Sequence, residues 1–296
     1  MTSQRQCVVD PRESVKFPGW KRNSEPGGWR YRAFTWCRPG VRGVSGIANR
    51  EISFHFKTVD FTPANTGSVV AFVVIVALVV AAIPAAAFFA YRTAPGGGRR
   101  MTILTSAGVL AWIVLVCAYV GSGVMARLPF QGLHSFFAAV FFVGIAAGIS
   151  PLAGRIAANV PLVALVGFHA FRVPLELVLH SWAGQGTIPQ TMTWDGQNWD
   201  IISGALAIIV APFAIRSRAL AWGVNIIGSV LLLNVIRVAA LSSPLPIGWG
   251  QDPPLLLALH LPYALIAPVC VAAALAGHIV LTRALLRPKQ TTATSD

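Results

Sequence analysis

The chain has 296 residues, of which 55% are hydrophobic and 11% charged, and its mean hydropathy is +0.66. Soluble globular chains carry roughly a quarter charged residues, so most soluble classes are excluded and lipid is the solvent for most of this sequence. The net charge of +13 divides into 11 Lys/Arg against 5 Asp/Glu over residues 1–66 and 12 against 5 over residues 67–296. No Lys/Arg stripe with interleaved aromatics marks a nucleic-acid surface, and basic residues at span ends are topology signals, so no nucleic-acid partner is expected.

Residues 1–66 read as an irregular basic tail, as in Pro18-Gly19-Trp20 and Pro26-Gly27-Gly28-Trp29-Arg30. Disorder or a mis-assigned start is expected there, since no secretory signal pattern appears and the next Met is Met101. Cys7, Cys37, Cys117 and Cys270 follow no metal-ligand or disulfide spacing, and neither a metal nor a cofactor is expected.

Apolar runs near 20 residues, the length that crosses about 30 Å of hydrocarbon, occur at 67–91, 102–125, 132–149, 160–182, 200–215, 219–241 and 255–281, and the fourth carries charges that place it in a bundle interior. The fifth is short and reads as a tilted or partly re-entrant segment. Backbone groups in lipid must be satisfied internally, and the run lengths exclude strands. The expected fold class is therefore all-α: a polytopic integral membrane protein with about seven transmembrane helices in one bundle over 67–281. A C-terminal tail of residues 282–296 follows. Arg92, Arg99, Arg100, Arg155, Arg216, Arg218, Arg283, Arg287 and Lys289 fall on one side, whereas the other side's short loops hold Arg127, Asp195 and Asp252. The positive-inside rule makes the first side cytoplasmic, with the C-terminus inside and residues 183–199 and 242–254 outside.

Polar side chains inside spans are costly and therefore informative. In the fourth span His169, Arg172, Glu176 and His180 fall within an arc of about 80° at 100° per residue, so one stripe of the helix carries all four. Arg172 and Glu176 are spaced to pair, and Pro174 frees the carbonyl of Ala170, which predicts a kink. Asp200 is placed to cap the fifth span, with Ser203 in its first turn. Asn234 and Arg237 share a face of the sixth span, and His260 and Tyr263 open the seventh. These residues fall at similar depth and predict an outward-opening polar pocket lined by His169, Arg172, Glu176, His180, Asp200, Asn234, Arg237 and His260. The alternatives are local: an ion pair that fixes register, a cap at Asp200, a snorkelling Arg237, an interfacial His260. His278 and Asn225 lie towards the inner side and read as local hydrogen bonders. Trp182, Trp194, Trp199 and Trp249 fit an aromatic belt.

Phe171-Arg172-Val173-Pro174-Leu175-Glu176, residues 186–193 and the run Gly196-Gln197-Asn198-Trp199-Asp200-Ile201-Ile202-Ser203-Gly204 resemble a bacterial family of multi-spanning membrane proteins with no assigned activity, over residues 67–285. This resemblance implies the bacterial inner (plasma) membrane. A fainter similarity is to exosortases and archaeosortases, which process sorting signals at the outer face of the membrane. Asp200-Ile201-Ile202-Ser203-Gly204 is similar to their nucleophile segment, Asn234-Val235-Ile236-Arg237 to their Asn-x-x-Arg, and His260 to their later His. Ile202 occupies the position of the nucleophilic Cys, and a branched alkyl group forms no thioester.

Three functions are weighed. The leading one is non-catalytic: binding of a small polar or lipid-linked ligand, or of a partner, in the outer pocket within the lipid bilayer. The second is a transporter or proton-coupled carrier using Arg172, Glu176 and the histidines. The third is an exosortase-like enzyme or its inactive relative, with Ser203, Arg237 and His260 as catalytic candidates and His180 as an alternative base.

Overall fold

The computed structural model describes residues 21–22, 29–33, 57–59, 61–127, 129–245 and 247–288, and the chain divides into two units, Met1–Phe61 and Thr62–Asp296. In the first unit β1 (Lys21–Arg22), β2 (Trp29–Ala33) and β3 (Lys57–Val59) form an antiparallel ribbon in that order, with Lys21 opposite Arg30 and Tyr31 opposite Val59. Apart from Phe61, these three short strands are the described part of the first unit. The expectations of disorder or a mis-assigned start fall largely on residues outside those described.

The second unit is all-α. Its elements are α1 (Thr66–Tyr91), α2 (Gly97–Gly121), α3 (Val124–Arg127), α4 (Pro129–Ile149), α5 (Pro151–Asn159), α6 (Leu162–Gly167), α7 (Arg172–Gly184), α8 (Ile201–Val210), α9 (Arg218–Ser242) and α10 (Ala272–Leu286). Six helical stretches are long and apolar enough to cross a membrane: Thr66–Tyr91, Gly97–Gly121, Gln131–Ile149, Leu162–Gly184, Arg218–Ser242 and Tyr263–Leu286. The protein is a polytopic, membrane-spanning helical bundle. The expected fifth span is shorter, running only from Ile201 to Phe213.

Local chemistry explains the boundaries. Asn65 caps α1 by accepting from Ser68 N at 2.9 Å, and Ser150 caps α5 by accepting from Ala153 N at 3.1 Å with Pro151 at the first helical position. The fourth span is not one regular helix: α6 and α7 are separated by a tight 3-10 turn, Phe168–Phe171. Pro174 lacks the N–H that would bond Ala170 O, and the distortion falls within that turn. The last span opens with a 3-10 turn at Tyr263–Leu265 and a wider π turn at Ile266–Val271 around Pro268. There the carbonyl of Pro268 accepts from Trp112 Nε1 at 3.0 Å.

Small residues bring the helices close, as is common where lipid removes the hydrophobic drive to associate. Ala153, Ala157, Ala207, Ala211, Ala214, Ala221 and Ala284 pack with Val166 and Leu281 in one core cluster. Val116, Val120, Phe136 and Val140 form a second with Ala264, Ala267 and Ala272.

The bundle has two chemically different ends. At one, Arg155 lies over the Tyr91 ring, and Arg283 donates to Gly148 O and Ser150 O. There too Arg287 donates to Gly154 O, and Arg218 to Ala284 O and Leu285 O. At the other, Asn65 N donates to Gln185 Oε1, Trp182 Nε1 to Ser68 Oγ, and Ala64 N to Tyr263 Oη.

Candidate functional site

The site grows from one buried cation. Arg172 is 1% exposed at the start of α7, and its Nη1 lies 2.6 Å from Asp200 Oδ1 and 3.3 Å from Gly228 O. Nη2 lies 3.2 Å from His278 Nε2. His278 Nδ1 is 3.0 Å from Asn225 Oδ1, whose amide donates to Thr282 Oγ1 at 2.7 Å. Towards the opposite end, Asn198 Nδ2 donates to both Glu176 oxygens, at 2.9 and 3.1 Å, and to Met192 O at 3.1 Å. Asn198 Oδ1 accepts from Asp200 N at 3.2 Å. One polar chain, Glu176–Asn198–Asp200–Arg172–His278–Asn225–Thr282, thus runs through the interior from α7 to the last turns of α10.

The depth of this chain is set by the connection between α7 and α8. Thr191 Oγ1 lies 2.8 Å from Ser242 Oγ at the end of α9, and Gln197 O accepts from Asn234 Nδ2 at 2.7 Å. Arg172, which holds Asp200, meets α9 at Gly228. Fourteen residues of α9 separate Ser242 from Gly228, about 21 Å at 1.5 Å per residue. The connection therefore re-enters the bundle and delivers Asp200 near its middle, and α8 covers only the remaining distance. A buried irregular segment of this kind is tolerated at membrane depth where protein satisfies its backbone, and here Gly196 N bonds Thr193 O, Gln197 N bonds Thr191 O and Asn198 N bonds Thr193 O.

Two glycines allow the close approach. A Cβ at Gly228 would lie 2.6 Å from the His278 ring, and one at Gly204 would lie 2.7 Å from Val173 N and 3.2 Å from Arg172 Cβ. The helices carrying Asp200 and the Gly228 carbonyl thereby reach the guanidinium.

The structure distributes the residues expected from the sequence as follows. His169, Arg172 and Asp200 join one network, His169 through its ring, which stacks on His278 at 4.1 Å. Arg172 pairs with Asp200 across helices and not with Glu176 on its own helix, because Asp200 arrives end-on at the guanidinium while Glu176 is taken by Asn198. Asp200 makes no side-chain cap on α8, its carboxylate being engaged by Arg172. Asn234 and Arg237 bond each other, Arg237 Nη2 also reaching Gln197 Oε1 at 3.2 Å and its guanidinium lying 5.6 Å from the Trp249 ring centre. His180 stacks on Trp194 at 4.2 Å and lies 3.5 Å from Asp195, at the surface end of the connection. His260 sits between the 3-10 turns Leu257–Leu259 and Tyr263–Leu265, where burial depresses its pKa to about 4.

Ser203 is buried with its hydroxyl beside the Asp200 carboxylate, and Ile202 next to it faces outward at 46% exposure. His278, Asn225 and Asn198 belong to the centre, although the sequence reading gave the first two a local role. An ionisable residue at His278, inside a span, was the available signal. Asn198 lies in an aperiodic segment and carried none apart from the resemblance. Among the described residues no three His, Cys, Asp or Glu side chains group as a metal site.

Fold and centre together define a class: a helical membrane protein with an ion pair and two stacked histidines in its interior, reached by a re-entrant connection. No protein-family model, curated protein or solved structure matches the chain.

Proposed function

We propose that the protein is a proton-coupled membrane carrier of the bacterial inner membrane, with the arginine-rich end and the C-terminus in the cytoplasm. The observation that carries this reading is the run of hydrogen-bonded polar residues from Glu176 to Thr282. A buried pair that only fixed helix register would need Arg172 and Asp200 alone. Here carboxylate, amide, guanidinium and imidazole groups follow one another, linked between Asn198 and Asp200 by the Asp200 backbone N–H, through a region where each polar group is costly unless partnered. Interrupted helices that meet near mid-depth are the usual architecture of carrier sites, and the 3-10 turn before α7 and the half-length α8 supply two of them.

The test uses proteoliposomes loaded with a pH-sensitive dye, an imposed pH gradient, and a panel of amino acids, sugars and nucleosides added outside. Faster collapse of the gradient than in protein-free vesicles, in at least one condition, is expected, and it is expected to be lost in His278→Ala. Rates equal to protein-free vesicles in every condition would overturn the reading.

A second reading is favoured by Arg237. Its guanidinium is held over Trp249 by Asn234 and Gln197, with no carboxylate within 4 Å among the described residues. A non-catalytic protein that binds a small anionic or lipid-linked ligand at the mouth of the connection would use that group. Loss of such binding in Arg237→Gln, without change in proton movement, would separate the two readings.

A further inference from the structure

We propose that Glu176 is the proton-binding residue of this centre, and that its proton controls how firmly the connection between α7 and α8 is held inside the bundle. The inference rests on the carrier reading for its purpose and on separate geometry for its substance.

The first ground is charge. Glu176 and Asp200 are both buried, at 2% and 6% exposure, and the one guanidinium between them, Arg172, is committed to Asp200. With both carboxylates ionised the centre carries one uncompensated negative charge in a low-dielectric interior. A proton on Glu176 removes it.

The second ground is what Glu176 holds. Both of its oxygens accept from the single amide of Asn198, which is fully buried at the deepest part of the connection. Protonation turns one carboxylate oxygen into an O–H group, a much poorer acceptor, so one of the two contacts with Asn198 is weakened. No other bond changes: a proton from the 185–199 side joins the carboxylate and later leaves it. Bonds from a charged acceptor are roughly twice as strong as neutral ones, so the neutral carboxyl also holds Asn198 less tightly.

The other ionisable groups around this point are few. Arg172 lies one turn away on α7, Asp200 opens α8, and His278 of α10, with His169 stacked on it, reaches them through Arg172. Asp195 and His180 pair at the surface end of the connection, and Arg237 of α9 touches it through Gln197. Helix α1, which packs on α7, has no Asp, Glu, Lys, Arg or His in its sequence.

The experiment is hydrogen–deuterium exchange of the full chain in lipid nanodiscs between pH 5 and 8, read on peptides covering residues 186–199 and corrected for the intrinsic pH dependence of exchange. Wild-type protection is expected to fall about tenfold on acidification, the equivalent of one lost hydrogen bond. Glu176→Gln should show the low protection at every pH. Flat wild-type protection overturns the inference. So does an unchanged pH response in Glu176→Gln, which would assign it to His180 and Asp195. If Glu176→Gln does not fold, Asn198→Ala is the second variant, expected to be weakly protected at all pH values. A pH response retained in Asn198→Ala also overturns the inference. Flat exchange together with gradient collapse in the vesicle test would remove this inference alone. Responsive exchange without collapse would remove the carrier reading and leave the switch.

Discussion

Arg172 is the most demanding residue in the protein. A guanidinium in a bundle interior needs a countercharge and hydrogen-bond partners, and Asp200, Gly228 O and His278 supply these to its two terminal nitrogens from three other segments of the chain, while its Nε is buried without a partner among the described residues. Removing one partner is worse than removing both. Asp200→Ala is expected to cost about 3–5 kcal/mol of stability, because it leaves the buried cation uncompensated, whereas Arg172→Met combined with Asp200→Leu should recover most of the loss. Unfolding in detergent, compared across the two single variants and the double variant, checks this. Equal losses in single and double variants would mean that the pair contributes packing and no charge compensation. At this scale the sequence was informative about which residues are expensive but not about who pairs with whom. The spacing of Arg172 and Glu176 on one helix suggested an intrahelical pair, and a cross-helix partner leaves no periodic trace.

At the scale of elements, the decisive feature is that α8 begins inside the bundle. Its 200–215 run looked short in the sequence, and a short run is compatible with both a tilted helix and a re-entrant one. The choice is made by contacts distant in sequence, Thr191 with Ser242 and Gln197 with Asn234, which hydropathy does not encode. The six long spans, by contrast, were readable because length and apolarity are local properties. Gly228 joins these elements by letting α9 approach His278 and the guanidinium. Gly228→Ala is expected to push the His278 ring away, since the new Cβ would lie at 2.6 Å from it. Overpacking of this kind costs about 1–3 kcal/mol. A thermal scan would show a lowered midpoint, and Gly228→Ala combined with His278→Ala should restore part of it. An unchanged midpoint in the single variant would mean that α9 shifts freely.

Over the whole molecule the two ends behave differently. Eight arginines from the loops and helix ends gather on one side, where the described sequence offers no carboxylate, so Arg218, Arg283 and Arg287 turn to backbone carbonyls. The opposite end holds Asp195, Asp252 and His260. His260 stays neutral in the folded state down to about pH 4, whereas in the unfolded chain it takes up a proton near pH 6.5. Between those values the unfolded state binds more protons, so stability falls as the pH drops from about 7 towards 4. His260→Gln should flatten that part of the profile of unfolding midpoint against pH, and an identical slope in the variant would exclude His260 as its source.

The re-entrant connection also has an electrical consequence. A residue cluster at the level of Gly228, about 21 Å from one end of α9 and about 15 Å from the other, sits roughly halfway across the dielectric barrier. An ion that reaches it from either face traverses about half of the transmembrane potential, worth about 1 kcal/mol for each 100 mV. On the proposed carrier reading, occupancy of the centre would therefore be tied to the energised state of the membrane as well as to the concentrations on its two sides.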